Sequence, residues 1–303
     1  MFHGTMTALV TPFLNSKIDE DAFRLHLERQ VKAGVNGVVP AGTTGEAATL
    51  SFHEHKQVIR IAVEQIAGRV PVIAGTGSNN TAESIELTAA AKALGADGAL
   101  LISPYYNKPT QEGIYQHYKA IADAVHMPQV VYNVPGRTNS NLLPETVGRL
   151  SHVSNIIGIK DATANMEQLL HTMAACEGRI EFYSGDDASV MPFMALGGSG
   201  VISVVSNIAP KTMIALTRAM RGGDLDIARS AQFAMRRLNQ MLFVQANPIP
   251  VKAACHLLGW MKGELRLPLL PLSGKPLDGL RQAMMDFECK LDGVFERLEL
   301  ADS

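Results

Sequence analysis

The chain has 303 residues, 47% of them hydrophobic and 18% charged, with a net charge of −2 and a pI near 6.5. That much apolar material fits one large α/β barrel or two smaller domains. The lack of a basic stripe argues against nucleic acid and anionic membranes as partners, and no apolar run approaches the roughly 20 residues needed to span a bilayer.

Cys176, Cys255 and Cys289 are far apart and odd in number, so neither a disulfide framework nor a Cys-x-x-Cys zinc pair is expected. Met1-Phe2-His3-Gly4 carries no charged-then-apolar leader. The expectation is a reduced, cytoplasmic protein.

Short apolar runs recur in chain order: Thr7–Val10, Val35–Val39, Val70–Ala74, Ala99–Ile102, Gln129–Tyr132, Ile156–Ile159, Ile180–Tyr183 and Val201–Val205. Each ends in small or polar residues and reads as a strand buried on both faces. Between them lie helical stretches such as Glu54–Ile66, whose Val58, Ile59, Ala62, Val63 and Ile66 fall at helical spacing, and Ala82–Leu94. A weak repeat links three joints: Ala33-Gly34-Val35-Asn36-Gly37, Leu94-Gly95-Ala96-Asp97-Gly98 and Leu196-Gly197-Gly198-Ser199-Gly200. Each is a helix ending in glycine and then a buried strand. Repeated αβ joints of this kind predict a closed (β/α)8 TIM barrel over residues 1–224. A doubly wound open sheet is the alternative, disfavoured because Gly75-Thr76-Gly77 lacks the third glycine of a dinucleotide turn.

Beyond Asp224 the strand signals stop. Ile227–Gln245 reads as one long helix, Asn247-Pro248-Ile249-Pro250 breaks it, Val251–Leu258 resumes, Leu267–Pro276 is extended, and Leu280–Leu298 is a last helix. Residues 225–303 are therefore expected to form a packed C-terminal α-helical domain.

Several motifs could carry chemistry. Lys160 ends the run Asn155-Ile156-Ile157-Gly158-Ile159-Lys160, at the strand tip where barrel enzymes build their sites. Desolvation there would free a neutral amine as a nucleophile; a solvated lysine at a strand end is the plain alternative. Tyr132 ends the preceding run and can shuttle protons, while Arg137 five residues on can clamp a carboxylate. Gly42-Thr43-Thr44-Gly45-Glu46 offers hydroxyls and N–H groups as a carboxylate cradle, or is simply a capped turn. Tyr105 and Tyr106 suit an interface. Asp186-Asp187 lacks partnering histidines, so it reads as a solvated loop or a helix N-terminus. In His53-Glu54-His55 the histidines do not share a helical face, which argues against zinc. Gly197–Gly200 precedes its strand and so lies on the bottom, structural face of a barrel.

In this order the motifs Gly42–Glu46, Ser103-Pro104-Tyr105-Tyr106-Asn107, Tyr132–Thr138, Gly158–Thr163, Ser184-Gly185-Asp186-Asp187, Gly200–Val204 and Asn247–Lys252 resemble the 4-hydroxy-tetrahydrodipicolinate synthase (dihydrodipicolinate synthase) family, of the pyruvate-dependent class I aldolase and lyase superfamily. The resemblance spans most of the chain. It implies a lyase that forms a Schiff base between Lys160 and pyruvate and condenses it with L-aspartate-4-semialdehyde, for diaminopimelate and lysine synthesis. It implies Tyr132 as proton donor and acceptor, with Thr44 and Tyr106 completing the relay and Tyr106 arriving from a neighbouring subunit. Thr43, Thr44, Arg137, Gly185 and Ile202 would bind substrate. No cofactor and no metal are implied. The family is usually a homotetramer, a dimer of dimers, often inhibited by L-lysine at a pocket matched here by Ala47, Ala48, His55, Asn79, Glu83 and Tyr105. Phe52 stands where sensitive members often carry histidine, which implies weak-to-moderate feedback.

Within the superfamily, an N-acetylneuraminate or 2-keto-3-deoxy sugar-acid aldolase would share Lys160 and Tyr132; Arg137 and the Thr43-Thr44 pair favour the semialdehyde enzyme. A silent ligand-binding barrel would be expected to lose Lys160, Tyr132 or Thr44. A metal- or phosphate-dependent barrel lacks ligands here.

Overall fold

A computed structural model of the protein describes residues 2–287. Eight parallel strands form the barrel: β1 (Gly4–Ala8), β2 (Gly37–Val39), β3 (Ile73–Gly75), β4 (Gly98–Ile102), β5 (Gln129–Asn133), β6 (Ile156–Asp161), β7 (Glu181–Ser184) and β8 (Gly200–Ser203). Neighbours in sequence are neighbours in space, and β1 pairs with both β2 and β8. The seam between β2 and β3 is closed by a Val38–Val72 bridge, with Val38 N–H donating to Pro71 O and Gly75 N–H to Pro40 O, both at 2.9 Å. The eight expected strands are therefore all present.

Helices alternate with the strands: α1 (Glu20–Ala33), α2 (Phe52–Ile66), α3 (Thr81–Ala93), α4 (Gln111–Ala124), α5 (Pro144–Leu150), α6 (Met166–Cys176), α7 (Val190–Ala195) and α8 (Pro210–Gly222). Their starts are set by local chemistry. Ser51 and Glu54 form a capping box on α2, Asn80 caps α3 and Thr110 caps α4. A small hairpin, Phe13–Leu14 with Lys17–Ile18, follows β1.

Inside the barrel Met6, Val39, Ile73, Leu100, Val130, Tyr183 and Ile202 fill the lumen and exclude water. Gly158 makes room for one of them: a Cβ there would lie 2.7 Å from the Tyr183 ring. At the bottom, a Cβ on Gly200 would lie 2.1 Å from Gly4 O. The glycine-rich joint thus lets β1 and β8 meet, a structural task.

After Gly223, a left-handed C-cap, Asp224 caps the first of four further helices: α9 (Leu225–Ala234), α10 (Arg236–Leu242), α11 (Ile249–Leu257) and α12 (Gly274–Asp286). Their apolar faces join the barrel in one continuous core, in which Met235, Leu238, Leu242, Val251, Ala254 and Leu280 pack with Val10, Val204, Val205 and Met213. Three expectations need correction. The single helix over Ile227–Gln245 is two, broken at Met235, whose side chain turns into the core. The last strand stops at Ser203, because Asp187 Oδ2 accepts the N–H groups of Val204 and Val205 at 2.9 and 3.0 Å and starts a helical turn. The final helix begins at Gly274; its expected continuation past Phe287, with Cys289, lies outside the described residues. Cys176 and Cys255 are buried free thiols.

Among the described residues no helix is long and apolar enough to cross a membrane.

Buried histidine makes the fold acid-sensitive. His26 on α1 meets Asn207 Oδ1 with Nε2 at 3.0 Å, its Nδ1 has no partner among the described residues, and burial pulls its pKa from 6.5 to about 4. The folded value lies below the unfolded one, so this contribution is complete above pH 6.5 and is lost as pH falls towards 4, up to about 3 kcal/mol. His117 is lowered to about 4 by the same cause. Urea unfolding between pH 7 and 4 should show this slope, reduced but not abolished in H26Q; parallel slopes for parent and variant would remove His26 as its source.

Candidate active site

Parallel pairing puts Tyr132 of β5 beside Lys160 of β6. Two side chains in register share a sheet face, here the lumen at the C-terminal mouth. Lys160 Nζ lies 4.2 Å from the centre of the Tyr132 ring. Lys160 is only 5% exposed. Burial lowers its pKa to about 8; Asp187 opposes that shift and the Arg137 charge adds to it. A pKa near 8 leaves about a tenth of the amine neutral at pH 7, against roughly one part in three thousand for an ordinary lysine.

Burial acts in the opposite sense on Tyr132, raising its pKa to about 12 although Arg137 and a hydrogen bond with the Thr43 hydroxyl lower it. The phenol is thus a neutral proton donor next to an amine that is neutral in part at pH 7. Gly185 follows β7 and closes the wall: a Cβ there would lie 3.0 Å from Lys160 Cε and 2.8 Å from Ala162 Cβ. Its N–H is held by Asp161 O at 2.7 Å. Ile202 is buried in the lumen on β8, in register with Met6.

The loop Gly42–Glu46 is a tight turn, with Gly45 N–H donating to Gly42 O at 3.0 Å and Glu46 N–H to Thr43 O at 3.1 Å. Among the described residues the N–H groups of Thr43 and Thr44 have no acceptor, so they remain free for an anion. The two hydroxyls diverge. Thr43 pairs with Tyr132, whereas Thr44 Oγ1 accepts from Asn247 Nδ2 at 3.0 Å. Of the two hydroxyls, the one beside Tyr132 is that of Thr43, because the turn sends adjacent side chains to different neighbours.

Arg137 sits in the single helical turn Pro135–Thr138 and donates to Asn247 O at 3.1 Å. Behind the cradle, Lys252 Nζ meets Glu46 Oε1 at 2.6 Å, both fully buried, and the ammonium lies 4.2 Å from the Phe13 ring. Glu46 Oε2 accepts from Arg266 N–H at 3.1 Å. This pair holds Glu46 at a left-handed φ of 56°.

Asp187, read from sequence as part of a solvated loop or helix terminus, is buried. It starts a short helical turn and is the anionic neighbour of Lys160. Sequence reasoning missed that role, since the only signal was a second acid after a strand. Tyr106 is held at φ 73° and is 88% exposed, so it does not complete the site within one protomer.

The remaining expected residues make local contacts of their own. Asn79 Nδ2 donates to Tyr105 O at 3.1 Å, and Glu83 accepts from Ser78 Oγ at 2.8 Å. His55 is buried, with Nε2 2.6 Å from Gly75 O. Ala47 and Ala48 lie in the turn before α2, and Phe52 begins that helix, partly exposed. Among the described residues no cluster of three or more His, Cys, Asp or Glu is arranged to hold a metal. His53-Glu54-His55 is split, as Glu54 pairs with Arg266. A cavity of about 780 Å³ among the appended helices, lined by Ile249, His256, Leu272 and Leu277, shares no residue with the Lys160 site.

The arrangement suits imine chemistry on a small keto acid: an amine with a sizeable neutral fraction, a phenol to move protons, and N–H donors for a carboxylate. Comparison with known proteins agrees. The model of the dihydrodipicolinate synthetase family matches residues 1–286. A 4-hydroxy-tetrahydrodipicolinate synthase of Geobacter sp. (strain M21) is 51% identical over 288 residues, covering 95% of this chain and 99% of that one. The chloride-inhibited dihydrodipicolinate synthase of Acinetobacter baumannii, complexed with pyruvate, superposes with a TM-score of 0.93 at 45% identity, covering 97% of this chain and 100% of that one. The enzyme of Cyanidioschyzon merolae with lysine bound superposes with a TM-score of 0.92 at 40% identity, covering 94% and 98%.

Amine-selective labelling read by peptide mass mapping should give Lys160 a reactivity midpoint near pH 8, well below the ordinary lysine range. A Lys160 midpoint grouped with the surface residues would contradict the desolvated amine.

Proposed function

The chain belongs to the dihydrodipicolinate synthetase family, and from that premise we propose that it condenses pyruvate with L-aspartate-4-semialdehyde, on the route to diaminopimelate and lysine. The observation that carries this reading is Lys160: a buried amine with a pKa near 8 beside a neutral phenol and an open N–H cradle.

Neutral Lys160 Nζ attacks the ketone carbon of pyruvate, and loss of water leaves an iminium. The Thr43 and Thr44 N–H groups hold the carboxylate, and the main chain of Ile202 flanks it. The iminium withdraws electrons, so a methyl proton leaves and the enamine carbon becomes the nucleophile. That carbon bonds to the aldehyde carbon, whose oxygen takes a proton from Tyr132. The amine of the new intermediate then displaces Lys160 and closes the ring. Tyr132 and Thr43 pass the protons. Arg137, at the mouth, binds the carboxylate of the semialdehyde bidentately.

Tyr106, solvent-exposed on its own protomer, enters the relay from a second copy, in a tetramer built as a dimer of dimers. A biosynthetic enzyme of this kind works in the cytoplasm. The locus around Asn79, Glu83, Tyr105 and His55 takes L-lysine, with Glu83 facing its α-amine. The pyruvate-cleaving sugar-acid aldolases are disfavoured by Arg137 and by the names of relatives at about half identity.

Borohydride reduction with pyruvate should leave the keto acid attached to Lys160 in the peptide map; an unmodified Lys160 would sink the reading. K160A should lose nearly all turnover while remaining folded. R137A should weaken use of the semialdehyde yet leave trapping intact, whereas equal loss of both would count against its role. G185A, which crowds Lys160, should slow trapping by about tenfold or more. Separately, millimolar L-lysine should inhibit weakly to moderately; an unchanged rate at that level would remove the effector.

A further inference from the structure

The segment Asn247–Lys252 grips the cradle at two points, and the chemistry above uses neither. Asn247 Nδ2 donates to Thr44 Oγ1, and five residues on Lys252 holds Glu46. Asn247 is buried, and among the described residues its Oδ1 has no partner. Its main-chain carbonyl separately accepts from Arg137.

The direction of the side-chain bond has a chemical consequence. A hydroxyl has one hydrogen and two lone pairs. Asn247 supplies the hydrogen of its bond to Thr44, so Thr44 accepts there and keeps its own hydrogen to give. A carboxylate only accepts, so a hydroxyl held in this sense attracts it and one held in the reverse sense repels it.

We propose that Asn247 is a positioning residue for the keto-acid carboxylate: by donating to Thr44 Oγ1 it fixes that hydroxyl as a third hydrogen donor beside the Thr43 and Thr44 N–H groups. The proposal rests on the pyruvate reading above. It makes the C-terminal helices part of the site through one amide.

Asn247→Asp is nearly isosteric but can only accept, so it captures the Thr44 hydrogen and turns a lone pair towards the substrate. Asn247→Ala merely releases the hydroxyl to rotate. N247D should raise the KM for pyruvate by about tenfold or more, and N247A by about threefold. The KM for the semialdehyde should stay within about twofold in both, since the main-chain bond to Arg137 survives. In a T44V background N247D should add less than about twofold, whereas in T44S its full penalty should return. A simple packing role predicts that Ala is worse than Asp, and that order would overturn the proposal. General charge repulsion predicts an undiminished penalty in T44V, which would overturn it as well. Borohydride trapping at Lys160 in the parent enzyme tests the pyruvate reading separately.

Discussion

The site depends on keeping an amine out of water without giving it a close counter-ion. Charged groups lose far more than neutral ones on leaving water, so depth in the barrel sets how much of Lys160 is free base. Burial lowers Lys252 as well, but there a bonded carboxylate, Glu46, directly opposes the shift. Among the described residues the anion acting on Lys160 is Asp187, which is already committed to the Val204 and Val205 N–H groups. The same desolvation that frees the amine holds Tyr132 in its protonated form. One environment thus sets the protonation states of both partners.

The cradle is shaped from behind. Glu46 adopts a backbone conformation that side chains other than glycine disfavour. It does so because Lys252 and the Arg266 N–H hold its carboxylate. Removing one partner of a buried pair typically costs about 3 to 5 kcal/mol, so the loop and the helical appendage stand or fall together. The continuous core across residue 224 supports the same view. The appendage is architecturally distinct from the barrel and energetically part of it.

Much of this was legible in the sequence where short-range pattern and long-range fold agree. Eight apolar runs gave eight strands, and the lysine closing one of them is buried beside Tyr132 in the candidate site. What escaped was set by contacts between distant segments. Val204 belongs to an apolar run, but Asp187, 17 residues earlier, takes its N–H and turns the chain. Thr43 and Thr44 are chemically identical neighbours, and only the turn and Asn247, some two hundred residues on, tell their hydroxyls apart. Met235 has helical neighbours on both sides, yet it ends one helix and precedes the next with its side chain in the core.

The seam between Gly4 and Gly200 has a consequence for synthesis. One edge of the first strand can be satisfied soon after Val39 is made; the other waits for a partner nearly two hundred residues later. Contacts of such separation form slowly, and an unpaired strand edge invites pairing with other chains. The ring cannot close before residue 203 has been made, and the hydrogen bond from Asn207 to Ala8 O needs a residue made just after it. Chaperone demand should therefore peak late in translation, when almost every strand exists and the ring does not.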